Sequence, residues 1–473
     1  MKLWSIIIST MINSQFNSNR KFVSMTLFPG MRITRKQDIP NPTYKGDVCV
    51  VGSGAAGLSA ALEAWQLGLK VVLVDASPQI GGQAVGSALS TICGLFSNAP
   101  IPTRLTHGVM DDMLEQLITM GDATLRRVRG TYIFDYVPNA WMRWAEDQIV
   151  SSDIIPLPGA IVRGLDQKDG VIEALSITTR FGDARVEANR FVDASGDAVL
   201  PWLAGLDLRE SEKNILGTVM AILEDVDTSI CNAYPRTLYH DLIRKYGSEF
   251  GLVRAEGPVF VLPGTRKLLL NLTHVETPME TAGLARAGFE GRRQVDGLLQ
   301  LFKRELPDAF EDAKVAIYGG AGIRQSRTII GQSPVTLDQV VHGIKPVDAI
   351  ARTTWPIELH GDMKEAHWTV FDTDHMHYIP FSAMVPKGLN NVIVAGRCID
   401  AEPAALASLR VMGPCFAMGR AAATAVHLAP SGSLHQIDIT TLQKAVKDNL
   451  QSNIVDPWSG NIVTENGPEG NAR

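Results

Sequence analysis

The sequence DVCVVGSGAAG at residues 47–57 decides the fold, together with a second apolar run at residues 71–74 that ends on Asp75. Apolar residues followed by a glycine-rich turn and then by small residues indicate a strand, a tight turn and the start of a helix. The second apolar run indicates a second strand with an acid at its tip. This order predicts a βαβ unit of the kind that binds dinucleotides.

Each glycine of this stretch has a separate physical role. Gly52 permits the tight turn, Gly54 has no Cβ to keep a pyrophosphate away from the backbone amides, and Gly57 lets the helix pack closely on the strand. The helix N-terminus would face the pyrophosphate with unpaired N–H groups and a favourable dipole. Asp75 follows Gly57 by 18 residues, where its carboxylate can accept a hydrogen bond from a ribose hydroxyl. The expected contacts in this unit are Gly52, Gly54, Ala55, Ala56, Gly57, Asp75 and Ala76.

A second glycine pair, Gly81-Gly82, follows the acid and precedes Gln83. Two glycines let the backbone pass close beside a bound cofactor. This need is greater for FAD, which is long and lies extended through its domain, than for NAD. The pair therefore favours FAD, and we expect Gly82 and Gln83 to contact it.

This arrangement resembles that of the glutathione-reductase-like flavoproteins, in which a glycine pair follows the ribose acid. The sequences NVIVAGRCID, at residues 391–400, and ASLRVMGPCFAMG, at residues 407–419, look like the closing signature of one group. That group comprises the FAD-dependent oxidoreductases, which are soluble, fumarate-reductase-like flavoproteins, most of them without an assigned substrate. Residues 322–331 and 379–388 resemble the same group. The resemblance extends over nearly the whole chain, from about residue 47 to about residue 450.

The resemblance implies an α/β fold, in which a Rossmann-like FAD-binding domain carries a β-meander and an inserted α+β substrate domain, or cap. The expected divisions are an N-terminal extension of residues 1–46, predicted to be disordered, an FAD-binding domain of residues 47–205 and 379–450, a cap of residues 206–378 and a tail of residues 451–473. It also implies non-covalently bound FAD, with further contacts at Gly196, Asp197, Arg397, Gly413 and Cys415. The helix predicted to begin near Gly413 would stabilise negative charge on the flavin; simple packing is the alternative.

Periodicity and turn signals predict the other elements. Strand-like runs separated by Asp-Gly and Gly-Asp turns predict the meander, at residues 154–163, 171–178 and 184–192. In the cap, strands are predicted at residues 259–262 and 268–272, and a helix at residues 282–306. Elsewhere, a strand is predicted at residues 391–395, and helices at residues 105–120, 139–150, 413–429 and 442–450.

Composition bounds the class of protein. A chain of 473 residues exceeds the size at which one hydrophobic core keeps growing, so two domains are expected. Its 45% of apolar and 20% of charged residues are ordinary for a soluble globular protein. A net charge of −6 without a long basic run does not favour a nucleic-acid partner, and no apolar stretch is long enough to predict a membrane span. The five cysteines are odd in number and form no CxxC, so neither disulfides nor a zinc site is indicated, and a cytoplasmic location fits best.

The N-terminal residues differ from the rest in charge. Residues 1–46 contain seven Lys or Arg and one acid, Asp38. The basic, partly apolar start suggests an export signal or an organellar transit peptide. A disordered or surface-lying extension, with Met25 or Met31 as the natural start, is the preferred interpretation.

Two arginines and two histidines are the candidate catalytic residues. Arg324 and Arg327 could clamp a carboxylate or other polar group, since guanidinium forks match planar anions. No acid lies within ten residues of Arg324, although a distant partner or a purely structural pair stays open. His375 and His377 could accept the substrate proton near neutral pH. Two histidines at i, i+2 also suggest a metal, but neighbouring ligands are too few, so no metal is expected.

Other polar residues have structural interpretations. Arg397 and Arg410 flank the flavin-facing segment, where bracing of the loop is at least as good an interpretation as catalysis. His360 is expected to be an ordinary surface or core residue. A disulfide reductase would place a redox dithiol beyond Gly82, but only Cys93 lies there, and a second glycine fingerprint for NAD(P)H is absent from the sequence.

The sequence therefore predicts an FAD-dependent dehydrogenase or oxidase. It would take a hydride from a carbon next to a hydroxyl or amine of a small polar metabolite, and pass the electrons to oxygen or to a protein carrier. Two alternatives stay open: a flavin monooxygenase served by an external reductase, and a flavoprotein subunit that only relays electrons. A homo-oligomer is compatible with the sequence.

Overall fold

The computed structural model describes residues 41–212 and 215–455, together with the backbone of residues 463–464. The strands are β1 (Thr43–Val51), β2 (Val71–Asp75), β3 (Thr91–Cys93), β4 (Ala123–Val128), β5 (Thr131–Tyr136), β6 (Ile155–Pro158), β7 (Ile161–Lys168), β8 (Val171–Thr179), β9 (Gly182–Asp193), β10 (Leu208–Arg209), β11 (Thr218–Glu224), β12 (Val259–Val261), β13 (Leu268–Leu270), β14 (Lys314–Gly322), β15 (Thr328–Ile329), β16 (Ala349–Thr353), β17 (Ile357–Leu359), β18 (His367–Thr369), β19 (His377–Pro380), β20 (Val392–Val394) and β21 (Val463–Thr464).

The helices are α1 (Ala55–Gln66), α2 (Gln83–Gly86), α3 (Val109–Thr119), α4 (Pro138–Val150), α5 (Val199–Leu203), α6 (Thr228–Ala233), α7 (Arg236–Tyr246), α8 (Thr281–Glu305), α9 (Pro307–Phe310), α10 (Leu337–Val341), α11 (Pro403–Leu409), α12 (Met412–Leu428), α13 (Ile439–Ala445) and α14 (Asp448–Gln451). The described residues from Pro42 onward form one compact unit. The chain therefore has the mixed α/β architecture that the sequence predicts.

The central sheet has the strand order β6-β2-β1-β9-β8-β7, with β20 also paired to β9. Strands β6, β2, β1, β9 and β20 run parallel. Strand β1 is paired with β9 from Thr43 to Val51, and with β2 from Val48 to Val51. The apolar runs of β1 and β2 are buried on both faces, as parallel strands between helices usually are. The predicted βαβ unit and the predicted last parallel strand are thus confirmed.

Helices α1 and α12 pack against each other on this sheet. A Cβ built on Gly419 of α12 would lie 2.2 Å from the backbone oxygen of Ala56 in α1. The two helices approach so closely because this position has no side chain. Residues near the two ends of the sequence thereby share one hydrophobic core.

The meander consists of β7, β8 and β9. Asp169 and Gly170 link β7 to β8 with φ values of 51° and 74°, and a two-residue hairpin turn of this kind needs positive φ at both positions. The prediction of one strand at residues 154–163 is wrong. That run breaks at Gly159, where φ is 73°, into β6, which is parallel to β2, and the start of β7.

The cap contains a second sheet, of order β12-β13-β11-β14, covered by α8. A separate cluster of buried side chains extends from Leu223 to Ala313. Val335 and Ile350, by contrast, belong to the same cluster as α1 and α12. The buried cluster of the cap therefore lies within residues 223–313, and the boundary at residue 378 stays a prediction.

Three other predicted boundaries differ from the structure. Strand β1 begins at Thr43, inside the predicted extension, because residues 43–46 pair with β9. The helix predicted at residues 105–120 begins only after Gly108, whose φ is 103°. The helix predicted at residues 442–450 is split into α13 and α14. The rest of the predicted extension and most of the predicted tail lie outside the described residues.

Candidate active site

The first glycine loop joins β1 to α1, and two of its glycines are required by the protein itself. A Cβ on Gly52, whose φ is 99°, would lie 2.4 Å from the Ala194 oxygen. A Cβ on Gly57 would lie 1.9 Å from the Gly52 oxygen, where helix and strand meet. Both positions therefore serve the tight turn and the close packing for which the sequence motif is known.

Gly54 is different, because no neighbouring protein atom excludes a side chain there. It adopts an ordinary extended conformation, and a Cβ on it would approach only the Gly82 Cα, at 4.0 Å. The space beside Gly54 adjoins the N-terminus of α1, whose first N–H groups, including those of Ala55 and Ala56, have no partner within the helix. An open cradle with amide donors suits the pyrophosphate of a dinucleotide.

The second glycine pair passes directly beside this loop. A Cβ on Gly82 would lie 2.6 Å from the Gly54 Cα, and the Gly81 N–H donates to the Ser53 oxygen at 3.1 Å. The positive φ values of Gly81 and Gly82, 116° and 58°, permit this path. The two glycine loops are thus in direct contact and together line one side of the space beside Gly54.

Asp75 lies at the carboxyl end of β2, beside the same loop. Its Oδ2 accepts from the Ser53 N–H at 2.5 Å and from the Ser53 hydroxyl at 2.6 Å, and its Oδ1 accepts from the Ser77 N–H at 2.6 Å. A carboxylate has about four acceptor sites, so one remains for a ribose hydroxyl. Ala76, which follows, is exposed. The chemistry and position of Asp75 fit a dinucleotide.

A network of backbone contacts joins these loops to the segment that leaves the cap. The Gln83 amide bonds both polar backbone atoms of Ile323, donating to its oxygen at 3.0 Å and accepting from its N–H at 2.7 Å. Arg397 donates to the oxygens of Ile323, Gly196 and Asp197, at 3.3, 2.8 and 2.7 Å. The backbone before Arg324 is therefore fixed from two sides.

Asp197 is ionised in this network. Burial opposes its charge, but the charge and hydrogen bond of Arg397, with the hydroxyl of Ser326, hold the pKa of Asp197 below its usual range. Ser326 also donates to the Gly196 oxygen at 2.8 Å. The predicted residues Gly196, Asp197 and Arg397 thus lie together, and Arg397 has the bracing contacts that the sequence left open.

The start of α12 lies against strand β3. A Cβ on Gly413 would lie 2.6 Å from the backbone of Gly94, so this glycine is needed for packing. Cys415 lies near Gly396 and donates its Sγ–H to the Arg410 oxygen at 3.3 Å. Burial raises the pKa of the Cys415 thiol to about 12, so this thiol is protonated at neutral pH.

Three arginines interact electrostatically with one glutamate; we call Arg254, Arg324, Arg410 and Glu358 the arginine cluster. Arg254 is only 3% exposed, and its Nη1 donates to the backbone and side-chain oxygens of Asn271, both at 3.0 Å. Its Nε, like that of Arg410, has no hydrogen-bond partner among the described residues. Arg324 donates to the Leu216 oxygen at 2.7 Å.

Charge repulsion and burial act on all three guanidiniums. Burial, and then the charges of Arg254 and Arg410, hold the pKa of Arg324 well below its usual value. Burial also lowers the pKa of Arg254, to about 10, and that of Arg410, although the Glu358 charge opposes this in both. Burial opposes the charge of Glu358, but His360 and then Arg324 and Arg410 lower its pKa to about 2. The cluster is therefore rich in positive charge.

Two buried histidines extend from Glu358. His360 Nε2 lies 2.9 Å from Glu358 Oε1, and His360 Nδ1 lies 3.1 Å from His274 Nε2. His274 Nδ1 in turn lies 2.9 Å from the Met363 oxygen. We call Glu358, His360 and His274 the histidine chain.

The four predicted catalytic residues do not lie together. Arg324 belongs to the arginine cluster, whereas Arg327 lies over the ring of Trp202, at 4.5 Å. His377 is fully buried, with its Nε2 2.7 Å from the Ser408 hydroxyl and its Nδ1 3.2 Å from His375. Burial, and then the charge of His375, lower the pKa of His377 to about 3. This histidine pair braces β19 against α11 in the structure, and its catalytic role stays a prediction.

Sequence reasoning gave no binding role to Arg254, His274, Glu358 or His360, and placed Arg410 beside the flavin-facing segment with bracing and catalysis both open. These residues come from distant segments, so no local spacing identifies them as a group. One signal was present: Glu358 and His360 stand at i, i+2 along β17, and alternate residues of a strand share a face.

Two further findings concern the described part of the chain. No helix there combines the length and hydrophobicity that crossing a membrane requires. No three His, Cys, Asp or Glu side chains there are grouped as a metal ion would require.

Comparison with known proteins identifies relatives of the chain. It is 32% identical to a dihydrolipoyl dehydrogenase of Manduca sexta over 24% of this chain and 20% of that one. It is 35% identical to ferredoxin–NADP reductase 1 of Cupriavidus necator over 16% of this chain and 21% of that one. These matches span about a fifth of each relative.

Solved structures and a family profile complete the comparison. The p-nitrophenol 4-monooxygenase of Pseudomonas putida DLL-E4 is 15% identical, with a TM-score of 0.42 over 89% of this chain and 84% of that one. The profile of the FAD dependent oxidoreductase family matches residues 47–446. The chain therefore belongs to the FAD-dependent oxidoreductase family, and it is an enzyme whose cofactor is FAD.

Proposed function

We propose that the enzyme is a dehydrogenase or oxidase of a small polar metabolite that carries a carboxylate. It takes a hydride from a carbon next to a hydroxyl or amine, and passes the electrons on to oxygen or a protein carrier. The single observation that carries the carboxylate is the arginine cluster, in which the buried Arg254 and the half-buried Arg324 and Arg410 all interact electrostatically with one carboxylate, that of Glu358.

Charge balance supports an anionic ligand. Arg254 also receives the charge of Glu256, but Glu256 lies 3.5 Å from the guanidinium of Arg244. Arg410 donates no hydrogen bond from its guanidinium to any described residue. Burying an unpaired charge is costly, and a guanidinium fork matches a carboxylate with two parallel hydrogen bonds. A substrate carboxylate in the cluster would supply the missing negative charge.

The position of the cluster supports a role next to the cofactor. The predicted FAD-binding residues Gln83 and Arg397 fix the backbone of Ile323, and Arg324 is the next residue along the chain. In this proposal Gly54, Gly82 and Asp75 hold the adenine-dinucleotide part of FAD. Bound FAD supplies the two-electron acceptor. The arginines orient the substrate, and Glu358 is the carboxylate placed among them to receive its proton.

Anaerobic bleaching of the flavin tests this function. We expect 2-hydroxy or 2-amino acids to bleach it, and their amide or methyl ester counterparts, which lack the carboxylate, to be far weaker. The substitution Arg324→Met should remove the preference for the acid. The control is Arg143→Met, because Arg143 pairs with Glu146 and Asp147 on the exposed face of α4.

Two results would contradict the proposal. Equal bleaching by acids and their esters would remove the carboxylate from it. Bleaching only by an added reductase, with no response to any metabolite, would favour the monooxygenase or the electron-relay subunit instead.

A further inference from the structure

The histidine chain has three polar contacts in series. From one end, the Met363 oxygen faces His274 Nδ1 at 2.9 Å, His274 Nε2 faces His360 Nδ1 at 3.1 Å, and His360 Nε2 faces Glu358 Oε1 at 2.9 Å. Both outer partners, a carbonyl and a carboxylate, can only accept hydrogen bonds. Each of the three contacts therefore needs a proton between its two heavy atoms.

Two neutral imidazoles supply only two such protons, since each ring has one N–H. If His274 donates to Met363, its Nε2 is an acceptor, and His360 must donate from Nδ1. His360 Nε2 then has no proton to share with an ionised Glu358. If instead His274 donates from Nε2 and His360 donates to Glu358, the contact to Met363 is the one without a proton. The chain therefore has a place for one further proton, on the His274 ring, the His360 ring or the Glu358 carboxyl.

The chain is held rigidly, so the three contacts persist together. Gln294 bonds the backbone of His274, accepting from its N–H at 3.2 Å and donating to its oxygen at 3.0 Å. The Leu216 N–H donates to the His360 oxygen at 2.9 Å, and the Leu216 oxygen accepts from Arg324. Both rings are fully buried. Leu216 thus connects the chain to the arginine cluster.

The charges that face the chain oppose the third proton. Burial, and then Arg254 and Arg324, lower the pKa of His274 to about 3. Burial and then Arg324 hold the pKa of His360 well below its usual value, although Glu358 opposes this. Two other groups face Glu358: the guanidinium of Arg410 and the thiol of Cys93. Burial raises the pKa of the Cys93 thiol, so this thiol stays neutral.

We propose that binding of a carboxylate by the arginine cluster makes the histidine chain take up one proton. The bound carboxylate neutralises the guanidiniums that repel the proton, and the third contact of the chain can then be completed. This inference rests on the anion-binding role proposed for the cluster. It adds a coupling between anion binding and proton affinity within one buried network.

The coupling fits the oxidation of a hydroxy acid. As the C–H hydride leaves for bound FAD, the O–H bond breaks, its electron pair becomes the second bond of the new C=O group, and the proton fills the open place in the chain through Glu358. His360 and His274 are positioning residues that act through Glu358. The base gains proton affinity only when the carboxylate is present. An anion without a hydroxyl must obtain the proton from water, which makes the uptake measurable.

Titration calorimetry of the FAD-loaded enzyme with malonate tests this. Malonate is a carboxylate without a hydroxyl. Comparing the binding enthalpy in two amine buffers of different ionisation enthalpy gives the number of protons bound. Amine buffers also add no anion that could compete for the site. We expect proton uptake when malonate binds, and the number of protons taken up per malonate should rise as the pH is lowered below about 7.5. The variants Glu358→Gln and His274→Gln should bind malonate with almost no proton uptake. The control His435→Gln should keep the full uptake, since His435 contacts Leu389 and Gln332 instead.

The outcomes separate the two proposals. Binding of malonate by the unmodified enzyme without proton uptake would overturn the coupling and leave the arginine cluster as an anion site. Absence of binding by malonate, oxalate and glycolate would overturn the anion site, and the coupling with it. The unmodified enzyme decides both points, so neither depends on a variant that fails to fold.

Discussion

The side-chain amide of Gln83 bonds Ile323 at both of its polar backbone atoms, accepting at 2.7 Å and donating at 3.0 Å. Gln83 directly follows the second glycine pair, and Ile323 directly precedes Arg324, which belongs to the proposed substrate site. The cofactor loop and the arginine cluster are therefore positioned by the same pair of hydrogen bonds.

Replacing Gln83 by Ala should weaken substrate binding while FAD stays bound. Two hydrogen bonds are lost, about 1–3 kcal/mol in total, and the backbone before Arg324 is freed on one side. The dissociation constant of a bleaching substrate, from the flavin spectrum, measures the effect. Gln443→Ala is the matched control, because that amide also makes two hydrogen bonds to the backbone, donating to the oxygens of Val347 and Ala349, away from the site.

Gly54→Val and Gly57→Ala should fail in different ways. The space beside Gly54 is open, so Gly54→Val should fold and lack the yellow colour, because the new side chain fills the pyrophosphate position. A Cβ at position 57 would meet the Gly52 oxygen, so that variant should be destabilised. Flavin absorbance and thermal unfolding of the FAD-free proteins separate the two effects. Normal flavin content in Gly54→Val would disprove the role of the loop.

Acid precipitation should release all the yellow colour as free FAD. Covalent attachment by a cysteine needs a thiolate, and burial raises the pKa of Cys93 and Cys415, so both thiols are protonated at neutral pH. The absorbance of pellet and supernatant is the measurement. Colour in the pellet would show a covalent bond, and Cys93→Ser would be the first variant to examine.

Arg324→Lys should retain FAD and bind a carboxylate substrate roughly ten- to a hundredfold more weakly. A point ammonium cannot reproduce a bidentate fork, and a charge-assisted hydrogen bond contributes about 1.5–3 kcal/mol. Arg327→Lys should have a smaller effect on affinity, because Arg327 lies over Trp202, outside the cluster. Equal losses in the two variants would assign both arginines to the substrate site.

Asp197 should contribute stability that acid removes. Its folded-state pKa is depressed, so its contribution is complete above the pKa of an unfolded aspartate, about 3.9, and is lost as the pH falls through the lower folded value. Asp197→Asn should therefore be less stable than the unmodified enzyme near pH 7, and the difference should shrink as the pH falls below about 4. Urea unfolding at several pH values measures it.

Part of this site is predictable from sequence and part is not. The glycine loop and Asp75 form local patterns, because one strand, one turn and one helix place all of them. The arginine cluster is not local: Arg254, Arg324 and Arg410 lie far apart in sequence, and only tertiary packing brings them to Glu358. His375 and His377 show the opposite case. Their i, i+2 spacing suggests a catalytic or metal-binding pair, but in the structure His377 is buried and contacts the Ser408 hydroxyl.

The packing of α12 on α1 has a consequence for the synthesis of the chain. The ribosome completes β1, α1 and β2 early, but the strand that pairs with the end of β9 and the helix that covers α1 come from residues 392–428. Until those residues leave the ribosome, the apolar face of α1 has no cover, and such surfaces make nascent chains prone to aggregation. A fragment that ends before α12 would contain the whole glycine loop, but it would lack the helix that covers α1 and should not fold.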